Sequence, residues 1–297
     1  MKTILETITN AATEFMFGHV TLNEDAIKVF HIDTKEGISY FSPPRYLASL
    51  LETVEKETAY KIIHIFNAIN ASLQYSFFTV RADIRFDGID SQWVIKMIDE
   101  VFETLQVKTV TDVYRTKEQI IERLIGSNIT LLRSRVETVE EVFGKLNFYE
   151  YGTAYADVSA SMGMLKQLVH FKQDLFFKKG LFAVMMTGRM LPELKSAHPE
   201  YVSQLAILPV PVDYQIPKML RHYGLIVFSE ALEKMVEHNI ILQENSEMEL
   251  NIRAATVLVC GLIAKQNGVS ADDVDGYLFS KRSESGLRHH LCVTESY

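Results

Sequence analysis

The most chemically suggestive stretch of the chain is Leu208-Pro209-Val210-Pro211-Val212-Asp213-Tyr214-Gln215-Ile216-Pro217-Lys218-Met219-Leu220. Pro217 suits the first turn of a helix, where its missing N–H costs nothing, and it pushes Ile216 away from helical backbone angles. Asp213 is then expected just outside a helix start, where the positive end of the macrodipole favours its ionised form. A carboxylate in that place serves either as a cap or as a fixed negative charge beside a cationic reaction centre.

A second stretch, Ser246-Glu247-Met248-Glu249-Leu250-Asn251-Ile252-Arg253, opens a helix that turns apolar on nearly all sides through Ala254 to Cys260. Such a helix is buried, so the polar groups of its first turns must meet one another or a ligand. Glu249 and Arg253 stand i, i+4 in the favourable order for an ion pair. In a third stretch, from Phe176 to Met186, Lys178 and Lys179 interrupt an apolar helix. Lysine there either lays its stem along apolar surface with its head in water or offers a cation to a phosphate. A fourth, Ala71-Ser72-Leu73-Gln74-Tyr75-Ser76-Phe77-Phe78, sets aromatic rings around one amide. Those side chains stack a flat base and read its edge, or they pack a core.

Other chemistries find little support. The nine histidines are dispersed, and the close group His289, His290 and Cys292 falls in a polar tail that is expected to fray rather than chelate. No GxSxG elbow, P-loop or dinucleotide fingerprint occurs in its structural context. Neither a metal nor another cofactor is expected.

Helices must carry these stretches. Apolar residues recur at helical spacing from Trp93 to Leu105 behind a candidate N-cap at Ser91, and over roughly 44–70, 117–125, 135–146, 155–171, 175–191, 217–225, 229–238 and 247–265. Strand signals are confined to Tyr75–Phe86 and to Ala206-Ile207-Leu208. The expected fold is mainly α, with a small minor sheet or hairpin. With 47% hydrophobic residues in 297, one large core is affordable without staples. No long linker divides the chain, so 1–297 is expected to be a single domain: 1–90 an N-terminal helical and β part, 91–285 the helical body and 286–297 the polar tail.

A net charge of −8 argues against a protein that grips long nucleic acid by its backbone, although a local basic pocket for one phosphate is compatible with it. Two cysteines suit a reducing compartment. The N-terminus reaches Glu6 too soon for a signal peptide, and no apolar run approaches the roughly eighteen residues that span a bilayer. A cytoplasmic location without membrane contact is expected.

In this order and spacing the four stretches resemble the queuosine salvage family, described as queuosine 5′-phosphate N-glycosylases or hydrolases. The most specific matches are Val212-Asp213-Tyr214-Gln215-Ile216-Pro217, then Gly224-Leu225-Ile226-Val227-Phe228-Ser229 with Leu232, then Glu249-Leu250-Asn251-Ile252-Arg253. Weaker likeness runs from Asn23-Glu24-Asp25-Ala26-Ile27 to Val274-Asp275-Gly276-Tyr277-Leu278-Phe279. The chain departs from the family pattern at Ala71 and Met186, where acidic residues are usual, at Gln74 and Phe78, where asparagine and tryptophan are usual, and at Asn251, where a second acidic residue is usual.

The resemblance implies a helical fold with distant likeness to DNA glycosylases and a small nucleotide substrate from which queuine is released. It implies Asp213 as the catalytic carboxylate and Gln74, Phe77, Phe78, Tyr214, Glu249 and Asn251 around the base, with Lys178 or Arg253 on the 5′-phosphate. Two alternatives stand beside it: a non-catalytic or degenerate binder of queuosine-like nucleotides, and a glycosylase for another nucleoside.

Overall fold

Helical periodicity in the sequence becomes helix nearly throughout. The computed structural model, which describes residues 2–15, 18–33, 42–73, 91–127, 129 and 131–294, is mainly α as expected. In chain order these residues form α1 (Lys2–Glu14), β1 (Val20–Leu22), α2 (Glu24–Val29), α3 (Arg45–Thr53), α4 (Lys56–Ser72), α5 (Ser91–Thr104), α6 (Val110–Tyr114), α7 (Lys117–Ile125), α8 (Leu132–Lys145) and α9 (Phe148–Thr153). A 3-10 turn, Ala154–Ala156, leads into α10 (Val158–Leu165), α11 (Val169–Lys172), α12 (Lys178–Met190), α13 (Pro192–Ala197) and α14 (Pro199–Ala206). Then come α15 (Gln215–His222), β2 (Ile226–Phe228), α16 (Glu230–Glu237), β3 (Ile241–Leu242), α17 (Glu247–Asn267), α18 (Ala271–Ser280) and β4 (Leu291–Cys292).

Two helices organise the rest. Along α4 every residue from Ala59 to Ser72 is buried except Lys61, and α12 packs along it. His64, sealed between them, has both ring nitrogens satisfied, as burial demands. His64 lies flat on Tyr151, with 4.2 Å between ring centres, and its two ring nitrogens meet the hydroxyls of Thr187 and Ser161, each at 2.9 Å. Helix α17 is the second. Ser246 caps it by accepting the amide of Glu249, and Gly268 ends it at φ +66°, a left-handed angle that suits glycine. Helices α1, α15 and α18 pack against its sides. Buried apolar residues from Ile4 to Leu278 form one continuous cluster.

The sheets are small, and they join distant parts of the chain. β1 pairs antiparallel with β2, Val20 opposite Phe228, and β3 pairs parallel with β4, Ile241 opposite Leu291. Among the described residues no helix is long and apolar enough to cross a membrane.

Several expectations need correction. The span 44–70 is two helices, because Glu55 stops the first turn of α4 with its own carboxylate, which accepts the amides of Glu57 and Thr58. Ala206-Ile207-Leu208 is no strand: Ala206 ends α14, whose first turn is set by Pro199 and whose buried face is Tyr201 and Leu205. Residues 286–294 do not fray. The carbonyl of Arg288 accepts from Arg221 of α15, and the segment ends in β4, paired with β3. The strand expected over Tyr75–Phe86 lies outside the described residues.

Candidate functional site

Helix α15 begins two residues earlier than Pro217 alone suggested, and Asp213 is the reason. Its Oδ1 accepts the amides of Gln215, at 2.7 Å, and Ile216, at 3.1 Å, which offsets the cost of placing Ile216 in a helix before proline. Pro217 then falls in the first turn, where no carbonyl waits for an N–H. Among the described residues Oδ2 of Asp213 has no hydrogen-bond partner, and the side chain keeps part of its surface open. The cap reading and the functional reading are therefore compatible: one oxygen fixes the carboxylate and the other is left to act.

Burial raises the pKa of Asp213, while the charge of Lys178 and the two amides pull it down. Lys178, the first residue of α12, is 7% exposed. Its ammonium sits 4.9 Å over the ring of Phe182 and makes no ion pair with a carboxylate among the described residues. Burial lowers its pKa, and the fields of Asp213 and Asp174 oppose that shift. The two charges thus act on each other's pKa without forming an ion pair among the described residues.

What aims Lys178 is a device the sequence reading missed. Asp174 accepts the amides of Phe176, at 3.0 Å, and Lys178, at 2.8 Å, and so caps α12 from outside. Phe177 between them takes a left-handed φ of +49°, and its ring lies over Gly180, where a Cβ would collide with it. Strained backbone of this kind persists where surrounding structure enforces it.

Asp174 also holds Arg253. One guanidinium nitrogen, Nη2, reaches both oxygens of Asp174, while Nη1 stands 3.7 Å from Glu249 and the plane rests over Phe176. Arg253 is 1% exposed and Glu249 fully buried. The i, i+4 pair read from the sequence, at 3.7 Å, is thus longer than the pair to Asp174, at 2.8 Å. Asn251 is likewise engaged: its carbonyl accepts the amide of His19 at 2.9 Å and its amide donates to the carbonyl of Phe15 at 2.6 Å. These contacts tie Phe15 and His19 to α17. Gln74, Phe77 and Phe78 lie outside the described residues.

A second carboxylate joins the group. Asp275 of α18 is bound by Arg189 at 2.7 Å, and Arg189 also bridges to Asp272. Burial, with the added charge of Asp213, lifts its pKa to about 6 against the pull of Arg189. Asp275 stands inside a stretch that the motif comparison quoted, so the signal was present but unused. Tyr214 completes one wall, its ring 4.7 Å from that of His289. A separate apolar groove of about 560 Å³, lined by Leu5, Leu22, Ile207, Leu258, Leu262 and Val269 among others, contains none of these groups. Among the described residues no cluster of histidine, cysteine and carboxylate side chains suited to a metal ion occurs.

The described residues thus bring together a carboxylate clamped through one oxygen, a buried lysine whose charge acts on it and a second carboxyl of raised pKa. Residues 195–287 match the profile of the family described as Queuosine salvage protein, in agreement with the resemblance read from the motifs, and Asp213, Tyr214, Glu249, Asn251, Arg253 and Asp275 lie inside the matched stretch. No individual curated protein matches the chain significantly.

Proposed function

We propose that this site cleaves the N-glycosidic bond of queuosine 5′-phosphate, or of a related deazaguanine nucleotide, to release the free base. The observation that carries the reading is Asp213, held by one oxygen with the other unpaired beside Lys178.

Departure of the base leaves its bonding electrons on the ring nitrogen and positive charge on the ribose, an oxocarbenium-like transition state. A carboxylate about 4 Å from that charge, at an effective dielectric near 20, is worth roughly 4 kcal/mol, or about a thousandfold in rate. Asp213 supplies this charge and orients the water whose oxygen bonds to the anomeric carbon. A deazaguanine has carbon where guanine has its protonatable N7, so the leaving ring takes its proton elsewhere. Asp275, with a pKa of about 6, is the site's second acid. Lys178 is the cation for the 5′-phosphate, since Arg253 is sealed against Asp174.

Incubating the protein with queuosine 5′-phosphate and with purine nucleotides, then searching for free base by mass spectrometry, tests the reading. Absence of base release from the deazaguanine nucleotide rejects it.

A second reading, a binder without turnover, draws on Ala71 and Met186. Both are fully buried in the contact between α4 and α12, where the family usually carries acidic residues. Calorimetric binding of the nucleotide without base release favours it.

A further inference from the structure

The segment after α18 is held to the site helix from several sides. Lys218 of α15 donates to the carbonyl of Arg282 at 2.9 Å, and Arg221 donates to the carbonyl of Arg288 at 2.9 Å. Arg288 in turn donates to the carbonyl of Glu237 at 2.7 Å, and the segment closes as β4 on β3. Cations on carbonyls cost little in specificity of sequence and much in freedom of path, so residues 286–294 have one course along α15.

That course sets His289 on Tyr214, with ring centres 4.7 Å apart and planes inclined at 40°. Tyr214 also packs on Leu291 and Cys292. In the chain it stands between Asp213 and the two residues, Gln215 and Ile216, whose amides clamp the Asp213 carboxylate. The tyrosine therefore links that turn to His289, Leu291 and Cys292. Burial and the charge of Lys218 hold the imidazole pKa near 4, so it meets Tyr214 as a neutral ring.

We propose that His289 is a positioning residue: by packing on Tyr214 it keeps the turn closed that aims Asp213, and segment 286–294 is thereby part of the site. The turnover consequence rests on the function proposed above, but the closure of the turn does not.

Two readouts on the full chain test it. Hydrogen exchange at the amides of Gln215 and Ile216 reports the turn without any substrate. His289→Ala should speed their exchange by about tenfold, the scale set by loss of one aromatic contact, whereas His289→Phe, which keeps a flat ring, should leave it near the parent rate. Tyr214→Ala, which also loses Leu291 and Cys292, should speed exchange at least as much, and the double variant no more than Tyr214→Ala alone, because the tyrosine carries the His289 contact. With queuosine 5′-phosphate, His289→Ala should lower kcat several-fold with KM little moved, and His289→Phe should restore kcat. Unchanged exchange in His289→Ala overturns the proposal, as does equal impairment by Ala and Phe or full additivity with Tyr214→Ala. If the parent protein releases no base, the proposed function falls while the exchange measurements still decide the role of His289.

Discussion

A single nitrogen of Arg253, Nη2, serves both carboxylate oxygens of Asp174, at 2.8 and 2.9 Å, so one buried ion pair locks the start of α12 to the middle of the site helix α17. The same carboxylate carries the amides of Phe176 and Lys178, which makes Asp174 the joint through which Lys178 is aimed.

Removing that joint should be expensive. Asp174→Ala takes from the sealed guanidinium of Arg253 the carboxylate that it meets at 2.8 Å, while Glu249 stands at 3.7 Å. A loss of about 3–5 kcal/mol is expected in urea unfolding. A loss below about 1 kcal/mol would mean that Glu249 or another group takes over the charge.

Asp213→Asn should separate chemistry from folding. The asparagine carbonyl oxygen keeps the bonds to Gln215 and Ile216, so the melting temperature should hardly change. Turnover should drop by about a thousandfold with loss of the charge. Retention of near-normal turnover by a folded variant would sink the assignment.

Lys178→Met keeps the stem against Phe182 and removes the charge. If the ammonium serves the phosphate, KM for queuosine 5′-phosphate should rise at least about tenfold more than KM for bare queuosine, as loss of one charged hydrogen bond predicts. Equal effects on the two substrates would assign Lys178 to Asp213 instead.

His64 gives a pH test that does not depend on activity. Burial lowers its pKa from 6.5 to about 3, so the folded protein holds it neutral where the unfolded chain would be protonated. Its contribution is fully present above about pH 6.5 and is lost as pH falls from there toward 3. Between pH 6 and 4 the slope of stability against pH should therefore be about 1.4 kcal/mol per unit shallower in His64→Gln than in the parent, whatever the variant's absolute stability. Parallel slopes in urea titrations would show that His64 is not held neutral.

Gly180→Ala should cost about 1–3 kcal/mol, because the added methyl group displaces the Phe177 ring that lies on it. The cost should shrink in the double variant with Phe177→Ala, which a two-by-two set of unfolding midpoints would reveal.

Much of this was legible in the residues. Helical spacing located α7, α12, α15, α16 and α17 within a few residues, since each carries an apolar face and a cap or a proline near its start. The aspartate before Pro217 was readable as a helix-start carboxylate and proved to be one. What could not be read was partnership across sequence distance. Asp174 and Arg253 are 79 positions apart, and nothing local distinguishes Asp174 from a solvated loop residue. The i, i+4 rule offered Glu249 as Arg253's partner, but packing placed a closer acceptor, Asp174, in the loop before α12. Segment 286–294 looked free because its own side chains are polar. It is held instead by the Arg288 carbonyl, by pairing of β4 with β3 and by side chains that reach distant partners, none of which has a local signature.

The pairing of Val20–Leu22 with Ile226–Phe228 has a consequence for biosynthesis. A ribosome adding about 5–20 residues per second leaves the first strand exposed for roughly ten to forty seconds before its partner is made. During that interval α1 also lacks α17, the surface it packs against in the finished fold. Nascent chains of this protein therefore present an unpaired edge and an apolar helix face together, which makes them natural clients for chaperones that shield emerging polypeptides.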